Sequence, residues 1–382
     1  MKFTVNREEM LNALKSIVRV VPSENSIKSM TGFLLTADED DGMLYMTATN
    51  GTTSAVRSIK PMLETGGEVV IGARFLINML SLLGGETALF EETSDRVVDL
   101  KSANCTYTIK TLPTAEYPKP KMMMPDKSVK VKGLKQLYLK TAANIAKGDA
   151  TDTLKGIHIN ITENEAAAES CSSTTASRAS IPFKTGGSLS FILPRPGFAM
   201  LSGAAGDDEL SVGKSGNLAV FKKDGFIFQT ICVPGEYINI DKVFNTVKPA
   251  YYASFEYEDM KKISEVCDVS SIGSKSYVKM EFKEDGIRVS TRNDVGSTEC
   301  FVDGIRLKGD GEFTFCYPAD KLRNIFRSLE GTMVISLSER GYLLLFTRFD
   351  KYMTTSLTDA SVKAIDEKTA RAKKGKKQKK AA

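Results

Sequence analysis

The stretch that decides the fold is Val70 to Pro113, which opens VIGARFL and closes TYTIKTLP. Phe191 to Pro234 repeats the plan, opening FILPRPGF and closing FIFQTICVP. Phe313 to Thr358 repeats it again, opening FTFCYPADKL and closing YMTTSLT. The pattern of each stretch predicts a strand, a short helix and further strands. One structural unit therefore recurs three times.

The spacing between the three stretches is regular. Leu112, Val233 and Leu357 stand near their ends, 121 and then 124 residues apart, and the opening motifs keep the same two spacings. A register held over whole segments indicates a tandem array of one domain of about 120 residues. The predicted domains are 1–124, 125–249 and 250–360, followed by a disordered basic tail at 361–382.

The apolar pattern predicts the same order of elements in each copy. A segment with helical period comes first, then strands joined by turns, then a second short helix and more strands. The first helices carry apolar residues at Met10, Leu14, Ile17 and Val21, at Leu134, Tyr138, Ala142 and Ile145, and at Met260, Ile263 and Cys267. This pattern predicts an α+β fold, with helices covering one face of antiparallel sheet.

The positive charge of the chain is concentrated at its C-terminus. The formal net charge is +5, but residues 362–382 hold nine Lys or Arg against two acidic residues, or +7, which leaves −2 for the rest. Low complexity and like-charge repulsion predict disorder here. The tail is interpreted either as a solubility extension or as a flexible arm that binds phosphate without sequence preference.

Composition points away from catalysis, metal binding and export. No run of 18 apolar residues occurs and the N-terminus alternates like a strand, which predicts a cytoplasmic protein. The six cysteines form no CxxC pair and are predicted to be small buried residues in a reducing compartment. The single histidine, His158, is predicted to face solvent on a strand. Neither a zinc site nor a nucleophile pair is therefore expected.

Two helices offer positive charge instead. The predicted helix from Gly133 to Lys147 carries three lysines and no acidic residue. The predicted helix from Ala319 to Leu329 carries three basic residues near Asp320. A solvated polar face is one interpretation of each helix. The other is contact with the phosphates of a duplex, independent of base sequence.

Several sequence motifs, taken in order, resemble those of one known family. They are the opening MKFTVNREEML, TLPTAEYP from Thr111 and LPRPG from Leu193, set within the threefold repeat. Over residues 1–359 the chain resembles the bacterial replicative sliding clamp, the beta subunit of DNA polymerase III. The resemblance implies three domains closed head to tail by a second chain into a ring, with helices lining the hole. It implies a processivity factor that tethers the replicative polymerase to duplex DNA, with no catalytic residue, metal or cofactor.

Partners of this family insert a short peptide between the second and third domains. Carried over by position, the pocket comprises Leu154, Thr174, Ala176, Ser177, Arg178, Ala179, Ile238, Val243, Met353, Thr355 and Leu357. The family's usual TDGHRL is TTASRA here, and its terminal MPMRL is TSLTD followed by the tail. Smaller and more polar walls hold an apolar anchor less well, which predicts altered partner specificity.

The resemblance also implies a DNA-lining surface and further partners. The DNA-lining residues would be Arg74, Lys135, Lys147, Arg195 and Lys321, while the loop around Asn25 lacks the arginine expected there. Expected partners are duplex DNA, the polymerase and the clamp loader, at the nucleoid in the cytoplasm. The alternative is a protein-interaction scaffold derived from a clamp that no longer encircles DNA.

Three domains in line predict a homodimer. Their two ends would carry complementary edges, which a heterologous contact can close by rotation. Residues from Val266 to Ile272 are expected to meet the sheet edge at Cys105 to Ile109 of the second chain.

Overall fold

The computed structural model describes residues 1–270, 276–293, 296–309, 311–327, 329 and 331–368. The first copy comprises the helices α1 (Arg7–Ile17) and α2 (Ala73–Leu82) and the strands β1 (Lys2–Asn6), β2 (Gly32–Ala37), β3 (Leu44–Thr49), β4 (Thr53–Ile59), β5 (Met62–Thr65), β6 (Gly67–Gly72), β7 (Thr87–Ser94), β8 (Val97–Ser102) and β9 (Cys105–Lys110).

The second copy repeats this order with one added helix and one strand fewer. It comprises the helices α3 (Leu134–Thr141), α4 (Arg195–Ala205) and α5 (Ile240–Asn245) and the strands β10 (Val129–Val131), β11 (Gly156–Thr162), β12 (Glu165–Cys171), β13 (Thr175–Pro182), β14 (Leu189–Pro194), β15 (Leu210–Ser215), β16 (Leu218–Lys223) and β17 (Phe226–Ile231).

The third copy returns to the plan of the first. It comprises the helices α6 (Tyr257–Ser270) and α7 (Ala319–Phe326) and the strands β18 (Tyr251–Phe255), β19 (Tyr277–Phe282), β20 (Gly286–Arg292), β21 (Ser297–Asp303), β22 (Ile305–Lys308), β23 (Phe313–Pro318), β24 (Met333–Leu337), β25 (Tyr342–Phe346) and β26 (Asp350–Thr355). Short 3-10 helices lie at Val18–Val20, Lys28–Thr31, Thr114–Glu116, Ala142–Asn144 and Asp152–Lys155.

The structure confirms the threefold repeat at the level of single hydrogen bonds. The last strands β9, β17 and β26 begin 121 and then 124 residues apart, the spacing read from the sequence. The second residue after each repeats one backbone bond: the N–H of Leu112 donates to Val70 over 2.8 Å, that of Val233 to Ile192 over 2.9 Å, and that of Leu357 to Cys316 over 2.7 Å. One fold therefore recurs at a fixed register, as the α+β prediction requires.

The chain divides into two compact units. The first holds residues 1–135, 161–164 and 184–234. Its two sheets run in the orders β5-β1-β7-β8-β9 and β10-β15-β16-β17-β4-β3-β2-β6. Helix α1 begins where the Asn6 side chain accepts a hydrogen bond from the Glu9 N–H, 2.9 Å long. The pairing of β17 with β4 joins strands of the first and second copies in one sheet.

The second unit holds residues 136–160 and 165–183 and the chain from Gly235 onward. One sheet runs β11-β12-β13-β26-β25-β24-β18-β22 and the other β21-β20-β19-β23. The pairing of β26 with β13 joins the second and third copies just as β17 and β4 join the first and second. Its large core includes the buried Tyr251, Phe282 and Tyr317. The boundaries at 124 and 249 stay a prediction.

Two predictions of local structure need correction. The helix expected from Gly133 to Lys147 ends as an α-helix at Thr141 and continues as a 3-10 turn to Asn144, since Thr and Asn are weak helix formers. The disorder expected from residue 361 is also wrong at its start: residues 359–368 form a helix, begun by a bond from the Ser361 N–H to the Thr358 hydroxyl. Residues 369–382 lie outside the described residues.

The cysteines are only partly buried. Cys171, Cys232 and Cys267 are buried as predicted, but Cys300 and Cys316 are half-buried and Cys105 is exposed. Cys105 begins β9, which has a neighbour on one side only in its sheet, so its side chain is left uncovered. Among the described residues, no helix is long and apolar enough to cross a membrane.

A buried ion pair joins α3 to β26. The Lys140 ammonium lies 2.8 Å from the Asp350 carboxylate, and their side chains are 18% and 4% exposed. Lys140 is therefore an internal structural residue and cannot serve the solvent-facing basic surface expected of this helix. Removal of one partner leaves an uncompensated charge in the interior, which is costly.

We expect Lys140→Met to lower the free energy of unfolding by roughly 3 kcal/mol, measured by chemical denaturation of the whole chain. Lys135→Met, at an exposed lysine of the same helix, should change it by less than about 0.5 kcal/mol. Adding Asp350→Asn to Lys140→Met should recover part of the loss, since no charge is then unpaired. Equal effects of the two single substitutions would contradict a structural role for the pair.

Candidate functional site

Helix α5 forms one wall of the candidate site and was not predicted from the sequence. The Asn239 side chain begins it by accepting a bond from the Lys242 N–H, 3.0 Å long. Ile240 and Phe244 are buried against the sheet. The signal was present in the sequence as a capping asparagine followed by apolar residues at helical spacing, although six residues are too few for a clear period.

An apolar cluster lies between α5 and the sheet. Its buried members are Cys171, Ala176, Ile240, Phe244, Leu344 and Met353, with Leu154, Val243, Val247, Tyr342 and Phe346 packed against them. A cleft of about 800 Å³ opens beside it, with Val243, Val247, Tyr342 and Met353 among its lining residues. A concave apolar surface with polar groups at its mouth suits a short peptide anchored by apolar side chains.

Two cations stand at the mouth of this cleft. Arg340 lies in the tight turn closed by a 3.0 Å bond from the Gly341 N–H to the Ser338 carbonyl. Lys248 lies two residues before Ala250, whose N–H donates to the Leu337 carbonyl over 2.7 Å. Both side chains are exposed, and neither forms an ion pair within the part of the chain that the structure describes. With Glu339 also at the mouth, these three side chains carry a net charge of +1.

The structure brings together four of the pocket residues expected from the resemblance. Leu154, Ala176, Val243 and Met353 share the apolar cluster. Exposed Thr174 and half-buried Thr355 are joined at its edge by a 3.0 Å bond from the Thr355 N–H to the Thr174 carbonyl. Exposed Ile238 lies just before α5.

The remaining four expected residues lie elsewhere. Ser177 and Ala179 point to the opposite face of β13 from Ala176, where the Ser177 hydroxyl lies 2.8 Å from that of Ser170. Leu357 hydrogen-bonds to Cys316 of β23. Arg178 is held by carboxylates of β12, as described next. Their places in the pocket remain predictions.

A charged row runs across the sheet beside the cluster. Arg178 contacts Glu165, and its Nε lies 3.4 Å from Glu169 Oε1. His158 Nδ1 lies 2.8 Å from Glu169 Oε2, and its ring stacks on Tyr237 with centroids 5.1 Å apart. The prediction that His158 faces solvent is therefore wrong: its side chain is 16% exposed and packs beneath the segment that leads into α5.

Four of the five basic residues expected to line DNA lie near the start of a helix. Arg74 and Arg195 lie exposed in the first turns of α2 and α4, and Lys135 lies exposed in the first turn of α3. Lys147 is exposed beyond the 3-10 turn that follows α3. Lys321 differs, because it is half-buried and donates to the Ala143 carbonyl over 3.1 Å. Burial lowers the pKa of Lys321. Contact of all five with DNA remains a prediction.

Comparison with known proteins finds similarity to one kind of protein. A family model described as DNA polymerase III beta subunit, N-terminal domain, matches residues 1–122. The beta sliding clamp of Mycoplasma capricolum is 21% identical over 86% of this chain and 90% of its own length. That of Bacillus subtilis is 19% identical over 87% of this chain and 92% of its own length.

Solved structures show the same fold. The DNA polymerase sliding clamp from Bacillus subtilis superposes with a TM-score of 0.83 at 16% identity, covering 94% of this chain and 99% of that one. The putative DNA polymerase III beta subunit from Eubacterium rectale gives 0.83 at 14%, covering 94% and 100%. The threefold repeat and its joined sheets thus define a protein with the DNA-clamp fold. The chain is a divergent relative of the bacterial beta sliding clamps, at about 20% identity.

Proposed function

We propose that this protein is a DNA sliding clamp. Two chains would close into a ring around duplex DNA and hold the replicative polymerase on it, with the clamp loader as a second partner, at the nucleoid in the cytoplasm. The protein would act by topology and not by catalysis. The single observation that carries this proposal is that each internal junction joins the last strand of one copy to the fourth strand of another, while one last strand, β9, and one fourth strand, β21, are left at sheet edges.

The free edges at β9 and β21 are complementary because they are equivalent to the strands that pair at the two internal junctions. Strand β17 pairs with β4 and β26 pairs with β13, always the last strand of one copy with a strand of the preceding copy. Among the strands that the structure describes, β9 of the first copy is the last strand that lacks such a partner, and β21 of the third copy is the matching strand. A second chain supplies both, and a heterologous contact of this kind closes when its rotation returns to the start. We therefore propose a homodimer in which β9 pairs with β21 of the second chain.

This pairing revises part of the expectation from sequence. Residues 266–270 belong to helix α6, so they cannot supply the strand that meets Cys105 to Ile109. The strand is β21 instead. Residues 271–272 of the expected segment lie outside the described residues.

The helices support the same closure. Helix α2 buries Ala73, Leu76, Met79 and Leu80, and α7 buries Ala319, Leu322, Ile325 and Phe326, at a constant offset of 246. At the internal junctions, the Ala204 carbonyl of α4 accepts from Arg57 over 2.9 Å and Lys321 of α7 donates to Ala143. The equivalent residues of α2 are Leu82 and Phe75, which are 78% and 53% exposed. Large apolar side chains at junction positions suit a surface that a second chain covers.

The ring is tested by retention on DNA of defined topology. We expect the full chain, loaded onto a nicked circular duplex, to stay bound through gel filtration in high salt, and to be lost when one restriction cut linearises the circle. Ionic contacts alone would be lost from both forms in high salt. Equal loss from circle and linear DNA, with a dimeric native mass, would instead favour the scaffold that no longer encircles DNA.

Partner binding is assigned to the cleft beside α5. Its apolar floor would hold one or two apolar anchors of a short peptide, and the unpaired charges of Lys248 and Arg340 favour an acidic residue beside them. The polymerase and clamp loader would compete for this one site.

A further inference from the structure

Cys105 and Cys300 lie on the two strands that the proposed ring joins. Cys105 begins β9 and is exposed, and Cys300 lies in β21 and is half-buried. In the described part of the chain, β9 pairs only with β8, and β21 only with β20. The register in which β9 and β21 of two chains would pair can be taken from the two junctions within one chain.

At each internal junction, the residue equivalent to Cys105 faces one defined partner. The equivalents are Phe226, which begins β17, and Asp350, which begins β26. Phe226 pairs with Arg57. Asp350 pairs with Ala179. Cys105 should therefore face the residue of β21 that is equivalent to Arg57.

That residue is Cys300. The equivalence follows from the residues that pair directly across neighbouring strands, taken in order from the strand before the second helix of each copy. In the first copy the ladder starts four residues before α2 and runs through Val69, Leu35, Met46 and Arg57. In the third copy it starts four residues before α7 and runs through Phe315, Met280, Val289 and Cys300.

The faces of the strands agree with this register. The Arg57 guanidinium lies 4.1 Å from the centroid of the Phe226 ring, so both side chains are on the same side of their sheet. Cys300 packs against the core of the third copy, the side on which helices α6 and α7 lie. A register shifted by one residue would turn the two thiols to opposite faces.

The junctions also fix the type of pair. At the first junction the Ser58 N–H donates to Gly225 and the Ile231 N–H to Thr52, both over 3.0 Å. Hydrogen-bonded and non-hydrogen-bonded pairs alternate along an antiparallel ladder, so Phe226 and Arg57 form a non-hydrogen-bonded pair.

The second junction agrees. There the Thr355 N–H donates to Thr174 over 3.0 Å and the Ser180 N–H to Phe349 over 3.1 Å, which makes Asp350 and Ala179 a non-hydrogen-bonded pair as well. In such pairs the Cα atoms are about 4.5 Å apart and the side chains are closest. That separation is within the range that a disulfide spans.

We propose that Cys105 of one chain and Cys300 of the second form a thiol pair across each ring interface, which an oxidant closes to an interchain disulfide. The proposal rests on the proposed function only for the dimer. The oxidant would be a small-molecule disulfide such as oxidised glutathione. In a reducing compartment the pair stays as two thiols and the interface opens freely, whereas oxidation locks the ring.

The chemistry proceeds by two exchanges. The exposed Cys105 attacks first as its thiolate, forms a mixed disulfide and releases one glutathione thiolate. Burial raises the pKa of the Cys300 thiol, which makes it the poorer first nucleophile. Cys300 then loses its proton to water and displaces the second glutathione thiolate. Two protein thiols are thereby oxidised to one disulfide, and one glutathione disulfide is reduced to two thiols.

The test uses the full chain with oxidised glutathione, followed by non-reducing electrophoresis and peptide mass spectrometry. We expect a covalent dimer containing a Cys105–Cys300 disulfide, reversed by dithiothreitol. Cys105→Ser and Cys300→Ser should each abolish it and leave the native dimer mass unchanged. Cys316→Ser is the matched control, since Cys316 is half-buried like Cys300 but lies on β23. It should crosslink like the parent protein.

The outcomes separate this inference from the ring itself. A native dimer that oxidised glutathione does not crosslink, or whose crosslink survives Cys105→Ser or Cys300→Ser, overturns the thiol pair and leaves the ring standing. A monomeric native mass at micromolar concentration overturns both.

Discussion

The double variant Phe75→Asp/Leu82→Asp is expected to be a monomer. Both side chains are exposed in the single chain, at 53% and 78%, so their replacement costs the folded chain little. In the proposed dimer both positions are covered, and each new carboxylate would be buried without a partner. We expect the dissociation constant of the dimer to rise by at least about 100-fold, which corresponds to about 2.7 kcal/mol.

Native mass and retention on circular DNA measure this effect. The variant should elute as a 41.8 kDa chain and should no longer be retained on a closed circle. The matched control is Met62→Asp/Ile305→Asp, which places the same charges on side chains that are 76% and 71% exposed on β5 and β22. The control should remain dimeric. A dimeric double variant at micromolar concentration would exclude closure through α2.

Met353→Asp is expected to abolish partner binding while the ring stays intact. Met353 is 8% exposed and belongs to the apolar cluster beside α5, where it also lines the cleft. A carboxylate there would be desolvated by any apolar anchor that enters, so affinity should fall by at least about 100-fold. The measurement is direct binding of the cognate polymerase, or of a peptide from it, by anisotropy or calorimetry.

Two controls separate loss of the site from loss of the fold. Met353→Leu keeps volume and polarity and should bind within about fivefold of the parent. Thermal unfolding and native mass of Met353→Asp show whether the chain still folds and dimerises. If Met353→Asp binds its polymerase normally while remaining a dimer, partners dock elsewhere and the assignment of the cleft is wrong.

The local pattern of the sequence was sufficient to predict much of the fold. The spacing of Leu112, Val233 and Leu357 predicted a domain repeated three times, and in the structure the same backbone bond recurs at these three residues. Met10, Leu14 and Ile17 marked the buried face of α1, since helical period depends only on neighbours along the chain. Helix α5 was not predicted, because six residues are too few to show a helical period in the sequence.

The candidate site was only partly accessible from sequence. Met353 and Val243 were placed in the pocket by resemblance, and the structure brings them together. Arg340 and Lys248 were missed, because nothing near them in the sequence indicates that one turn and one linker meet at the same cleft. Arg178 was assigned to the pocket, but the carboxylates of β12 hold it.

The sequence by itself determined the threefold repeat, the α+β class and the family, because these depend on the apolar periodicity, the repeat spacing and the order of motifs along the chain. The tertiary structure alone decided which charges are paired and which strand edges are free. In the sequence Lys140 is one more basic residue. In the structure its ammonium lies 2.8 Å from the carboxylate of Asp350, 210 positions away. Nothing along the sequence relates Cys105 to Cys300, and only strand register, a relation between distant segments, gives them the facing positions of the proposed pair.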